Sequence, residues 1–181
     1  MRKAILIIDH GSRRGEANEM LDCVANLVQA MAGREVIVRH AHMELAEPSI
    51  EAGFAACVEA GATEIIAFPY MLSPGKHSTA DIPRMVSEAA LAHPAVRWSV
   101  TPALGVHEKL AEVILERAGV PGRPIGADRC WHSSGAAGTC GDACRCNGDA
   151  GAVRTSDAGG RRAFGAAARP RYGMRECEKP R

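Results

Sequence analysis

Residues 1–120 alternate apolar runs of strand length with apolar stripes of helical period, and this alternation leaves few folds open. The first run, KAILIID (Lys3–Asp9), is almost continuously apolar, as a strand covered on both faces must be. Met20, Leu21, Val24, Leu27, Val28 and Met31 then make one stripe along Glu16–Ala32, and Gly33 stops it. EVIVRHA (Glu35–Ala41) is a second strand, after which Pro48 opens a helix that ends at Gly61. EIIAFPY (Glu64–Tyr70) is the third strand, and the loop MLSPGKHST leads from it into a helix reaching about His93. VRWSVT (Val96–Thr101) is the fourth strand. GVHEKLAEVILERAG closes the series as a helix with Leu110, Val113 and Ile114 inward and Gly119 as its stop. Parallel strands need crossover helices, so the pattern predicts an α/β fold: a four-stranded parallel sheet flanked by helices.

After Val120 the texture changes to Gly, Ala and Arg without apolar periodicity. This divides the chain into a folded domain, 1–120, and a tail, 121–181, expected to be mostly disordered. The 181 residues suffice for one domain with a real core. Charge is balanced, with 22 basic against 21 acidic side chains, which argues against nucleic acid or an anionic membrane as partner. No apolar stretch approaches a membrane span, and the N-terminal run is cut short by Asp9 and His10, so a cytoplasmic location is expected.

Seven cysteines are unevenly spread. Cys23 and Cys57 fall within helical patterns and are expected to be buried thiols. The other five are Cys130, Cys140, Cys144, Cys146 and Cys177, and their odd total argues against a disulfide framework. Cys130, Cys140, Cys144 and Cys146, with His132 nearby, form a candidate tail metal site whose thiolates would suit zinc or an iron–sulfur cluster. The spacing C-x9-C-x3-C-x-C matches neither the usual zinc nor the usual ferredoxin pattern. The competing reading is a GC-rich coding sequence translated in a shifted frame.

In an open parallel sheet, ligands bind outside the carboxyl ends of the strands where strand order reverses. His10 follows the first strand, Glu44 the second and His77 the third, so a 2-1-3-4 order brings all three to one crevice. Each has a bland reading as a solvated or hydrogen-bonded loop residue; it is their convergence that points to function. A phosphatase with a histidine nucleophile would place an arginine before that histidine, whereas Asp9 stands there and would repel phosphate. A carboxylate beside an imidazole better suits a site that holds a cation or takes up protons. Pro74 and Gly75 make a turn ahead of His77. The helix then starts either at a Ser78–Asp81 capping box or later, near Pro83. Either start puts His77 before a helix N-terminus, whose dipole favours the neutral imidazole that a divalent ion needs. His40 and His42 are assigned to packing or to support of the site, and His93 and His107 to helix ends at the surface.

The motifs LIIDHGSR, MELAEPSI and FPYMLSPGKHSTADIP, in this order on these elements, resemble the short-form sirohydrochlorin chelatase family over about residues 1–120. The resemblance implies a flavodoxin-like chelatase domain. It implies His10 and His77 as metal-binding and catalytic histidines, Glu44 as the acidic active-site residue, and a homodimer. It further implies insertion of Co²⁺, Fe²⁺ or Ni²⁺, the metal being a substrate, into the tetrapyrrole sirohydrochlorin, toward cobalamin or sirohaem. Because that substrate carries many carboxylates, Arg13, Arg14 and Lys76 are candidate anchors, and Ser12 and Ser73 candidate hydrogen-bonding groups. A metal-delivery protein without turnover, using the same histidines and the Cys-rich tail, is the alternative.

Overall fold

The computed structural model describes residues 1–123 and the backbone of two further two-residue strands. The elements run β1 (Lys3–Asp9), α1 (Gly15–Ala32), β2 (Val36–His42), α2 (Ile50–Glu59), β3 (Glu64–Pro69), a π-helical turn (His77–Asp81), α3 (Ile82–Ala90), β4 (Arg97–Val100) and α4 (Glu108–Arg117). A small antiparallel pair, β5 (Cys130–Trp131) with β6 (Ala137–Gly138), follows. The main sheet is parallel throughout in the order β2-β1-β3-β4, as the alternating pattern predicts. The tail ligands His132, Cys140, Cys144 and Cys146 and the disorder expected of the tail lie outside the described residues, as does the side chain of Cys130.

Side chains of β1 alternate between two cores. Ala4, Leu6 and Ile8 pack with Phe54 and Cys57 of α2, with Ile82 and Val86 of the third helical segment, and with Ile65 and Ala67 of β3. Ile7, with the half-buried Ile5, meets Leu21 and Ala25 of α1 and Val38 of β2. Thus α1 covers one face and α2 with α3 the other, and the central strand is apolar on both sides for that reason. Gly53 lets α2 lie against β2: a Cβ there would stand 2.9 Å from both Ala41 Cβ and Leu6 Cδ1.

Several local expectations are corrected. The α1 stripe is too broad for the single face it covers: Leu21 is buried and Val24 and Val28 partly so, whereas Met20, Leu27 and Met31 are exposed. Cys23 lies on the outer side of the same helix and is exposed, while Cys57 is buried. In α4, Val113 and Ile114 are exposed and Leu110 only partly covered, so they do not face inward. That helix follows the edge strand β4, and among the described residues no further strand joins the sheet to give it a layer to pack on. Pro48 does not open α2; the cap is Ser49, whose Oγ accepts from the Ala52 N–H, and Pro48 precedes it after a cis peptide bond. Among the described residues no helix is long and apolar enough to cross a membrane.

Two outcomes follow from this packing. Gly53→Ala has no space for its methyl group and is expected to cost about 1–3 kcal/mol, read as a lowered melting midpoint; an unchanged midpoint would contradict the close approach of α2. Burial pushes the Cys57 thiol up to about 11. Iodoacetamide at pH 8 should therefore label Cys23 in the native chain and reach Cys57 only after denaturation, as peptide mapping would show.

Candidate active site

Beyond the strand ends, the β1 and β2 chains stay joined. Asp9 is in register with His42, and then the Met43 N–H donates to Asp9 O (2.9 Å) and the Glu44 N–H to His10 O (3.1 Å). The loop after β2 is closed on itself, because the His42 N–H donates to Pro48 O at 2.8 Å. Likewise the Tyr70 N–H donates to Ile8 O, tying the start of the β3 loop to β1. These bonds carry His10 and Glu44 out side by side. Gly11 makes the approach feasible: its φ is +82°, and a Cβ at this position would overlap the Glu44 carbonyl oxygen.

The three residues singled out from sequence do converge. His10 Nε2 lies 2.8 Å from Glu44 Oε1, and the rings of His10 and His77 stand edge to face with centroids 5.2 Å apart. All three remain open to solvent, with the side chains of His10 and Glu44 roughly half exposed at 43% and 52%. His77 does not precede a helix, as expected, but begins the π-helical turn, in which the Ile82 N–H reaches back to His77 O. Such wide turns recur at functional sites. Here the turn sets Asp81 Oδ2 at 2.9 Å from His77 Nδ1. With Nδ1–H donated to Asp81, the His77 Nε2 lone pair is left for a ligand, and the ring is held in orientation.

The capping box expected of Ser78 and Asp81 does not form. Ser78 is buried and its Oγ takes the Gly75 N–H at 3.0 Å, while Asp81 serves His77. Asp9, expected to act beside His10, points elsewhere. Strand alternation sends it to the α1 face with Ile5 and Ile7, where its Oδ1 accepts from the Gly11 N–H (2.9 Å) and meets His42 Nδ1 (2.6 Å). His42, read from sequence as packing or support of the site, is 1% exposed. His40 is on the same face, 3.5 Å from Asp22 of α1, its pKa lowered by burial above all.

The proposed anchors are less uniform. Arg13, Arg14, Ser73 and Lys76 are exposed at the loops around the crevice. Ser12 is tied down: its N–H donates to Asn18 Oδ1, its carbonyl accepts from Asn18 Nδ2, and its Oγ accepts from the Arg14 N–H. Asn18 and the orienting role of Asp81 were not found by sequence reasoning. For Asp81 a signal existed in its i, i+4 spacing from His77; for Asn18 none did. Among the described residues no group of three or more His, Cys, Asp or Glu side chains, the trio included, is arranged to hold a metal ion.

Together the fold and the site define a parallel α/β domain with a histidine–carboxylate group beyond the carboxyl ends of its strands. The chain belongs to the CbiX family, whose model matches residues 4–119. It is 42% identical over 113 residues to the chloroplastic sirohydrochlorin ferrochelatase of Arabidopsis thaliana, a match covering 62% of this chain and 50% of that one. Among solved structures, SirB from Bacillus subtilis with Fe³⁺ superposes with a TM-score of 0.61 at 34% identity, covering 67% of this chain and 49% of that one. SirB from Bacillus subtilis subspecies spizizenii in complex with cobalt gives 0.61 at 33% identity, covering 66% and 50%. The chain thus spans about half the length of the curated relatives it matches.

Gly11→Ala should separate the two loops. The added methyl meets the Glu44 carbonyl in a left-handed backbone, at a cost of about 1–3 kcal/mol. Thermal melting and the histidine ring NMR signals should both change; a native His10 signal in this variant would contradict the close approach.

Proposed function

We propose that this chain is a lyase-type enzyme, a chelatase that inserts a divalent metal into sirohydrochlorin. The observation that carries the reading is the meeting of His10, Glu44 and His77 at one sheet edge, from three separate loops. Two imidazoles and a carboxylate suit a borderline ion such as Co²⁺, Fe²⁺ or Ni²⁺, and their bonds to it exchange. Relatives named for iron and for cobalt favour the first two metals, hence sirohaem or cobalamin synthesis. The metal and the tetrapyrrole are both substrates.

Insertion requires the metal to shed ligands and the macrocycle to lose two pyrrole protons. His10 and His77 hold the ion, His77 through the Nε2 that its bond to Asp81 leaves open. The 2.8 Å contact between His10 Nε2 and Glu44 Oε1 holds a proton when no metal is bound. A metal on Nε2 would send that proton to the solvent; as the metal passes to the ring, the pair accepts one of the two pyrrole protons and the other leaves to the solvent to which the site is open. The exposed Arg13, Arg14 and Lys76 face the substrate carboxylates, Ser73 donates a hydrogen bond, and the Ser12 O–H remains available as a donor because its Oγ otherwise only accepts. The reading extends to a homodimer acting in the cytoplasm. A second copy is favoured by the apolar Val113 and Ile114 that α4 leaves exposed.

The test is anaerobic incubation of the full chain with sirohydrochlorin and Co²⁺ or Fe²⁺, followed by absorbance. Insertion should be accelerated over the protein-free mixture, and His10→Ala or His77→Ala should lower the rate by at least about 100-fold with the fold retained. No acceleration with Co²⁺ binding intact would make the chain a delivery protein instead.

A further inference from the structure

The geometry points to Asp9 and His42 as a coupled pair of positioning residues for the metal site, an inference that rests on the chelatase reading. Neither reaches the trio itself. Asp9 Oδ1 lies 2.6 Å from His42 Nδ1 and 2.9 Å from the Gly11 nitrogen, so one carboxylate oxygen receives a ring N–H and a backbone N–H. The two residues close β1 and β2 and are in register. Each is followed within two residues by a member of the site: His10 and Gly11 after Asp9, Glu44 after His42.

The pair therefore grips both loops at their roots. The Gly11 N–H held by Asp9 sets the left-handed turn that seats Gly11 against the Glu44 carbonyl. The Met43 and Glu44 N–H groups bond to Asp9 O and His10 O, so a shift at the Asp9–His42 junction moves His10 relative to Glu44. His42 is fully buried and has no route to the substrate, which excludes a direct role. A charge-assisted bond of this length inside the protein is among the more rigid local links available. Its function here is to hold the 2.8 Å spacing between His10 Nε2 and Glu44 Oε1 before any metal arrives.

The test uses the full chain and Co²⁺ alone, titrated anaerobically by its d–d absorption, beside thermal melting. H42F fills the same space without a donor, and D9N removes the charge. Each should weaken Co²⁺ binding by about 10- to 100-fold. H42N, which restores a donor near the place of Nδ1, should recover most of the affinity. The double variant D9N/H42F should lose no more than the worse single one, because both break the same link. Wild-type affinity in either single variant, or losses that multiply in the double variant, would overturn the coupling. So would affinity that merely follows the melting temperature across all variants without rescue by H42N, since that assigns a structural role. If H42F does not fold, D9N and H42N carry the same outcomes. A wild-type chain that binds Co²⁺ but inserts none refutes the chelatase reading and leaves this comparison standing, because binding needs no turnover. A wild-type chain that binds no Co²⁺ overturns both.

Discussion

The parallel pairing of β1 with β2 does not stop where the strands do, and the candidate site depends on that continuation. Asp9 and His42 end the two strands in register, and two more backbone hydrogen bonds, from Met43 to Asp9 and from Glu44 to His10, carry the ladder into the loops. Loops that leave a sheet edge are ordinarily free to diverge. Here they are laced together, so His10 and Glu44 emerge as neighbours. The third member comes from β3, bound to the other side of β1, and from a π-helical turn that presents His77 with Asp81 behind it.

This arrangement divides the work between two faces of one strand. Ile5, Ile7 and Asp9 share the α1 face, and the carboxylate at the end of that row meets His42 there. His10 follows out of phase and joins Glu44 and His77 in the opening. A paired carboxylate, 24% exposed, thus stands directly next in sequence to an imidazole that is 43% exposed and turned to the opening. The site stays open and half exposed, which suits an ion that must enter, be held and leave again.

Much of this was legible in the residues. Continuous apolar runs marked strands covered on both faces, and the helical stripes between them required parallel connections. Loop positions after the first three strands then named His10, Glu44 and His77. Burial within helices was less legible. Met20, Leu27 and Met31 have the spacing of a core stripe, yet α1 meets only one face of a narrow sheet and leaves them outside. Val113 and Ile114 have the right period too, but α4 follows the last strand of the sheet. Periodicity states which residues share a side of a helix; it does not state whether a layer stands opposite.

The linear order of residues was enough for the parallel α/β class, the strand positions and the three loops that bear chemistry, because each of these follows from local periodicity and its breaks. The partners of Asp9, Asp81 and Ser78 required the folded chain. Adjacency in sequence pairs Asp9 with its neighbour His10, whereas the fold gives it to His42, thirty-three positions away, because strand register brings the two together. Asp81 and Ser78 have the spacing of a cap, and the π-helical turn turns one to His77 and the other to Gly75. Hydrogen bonds are short-ranged and directional, so they are decided by where backbones cross, and one-dimensional spacing carries no record of that crossing.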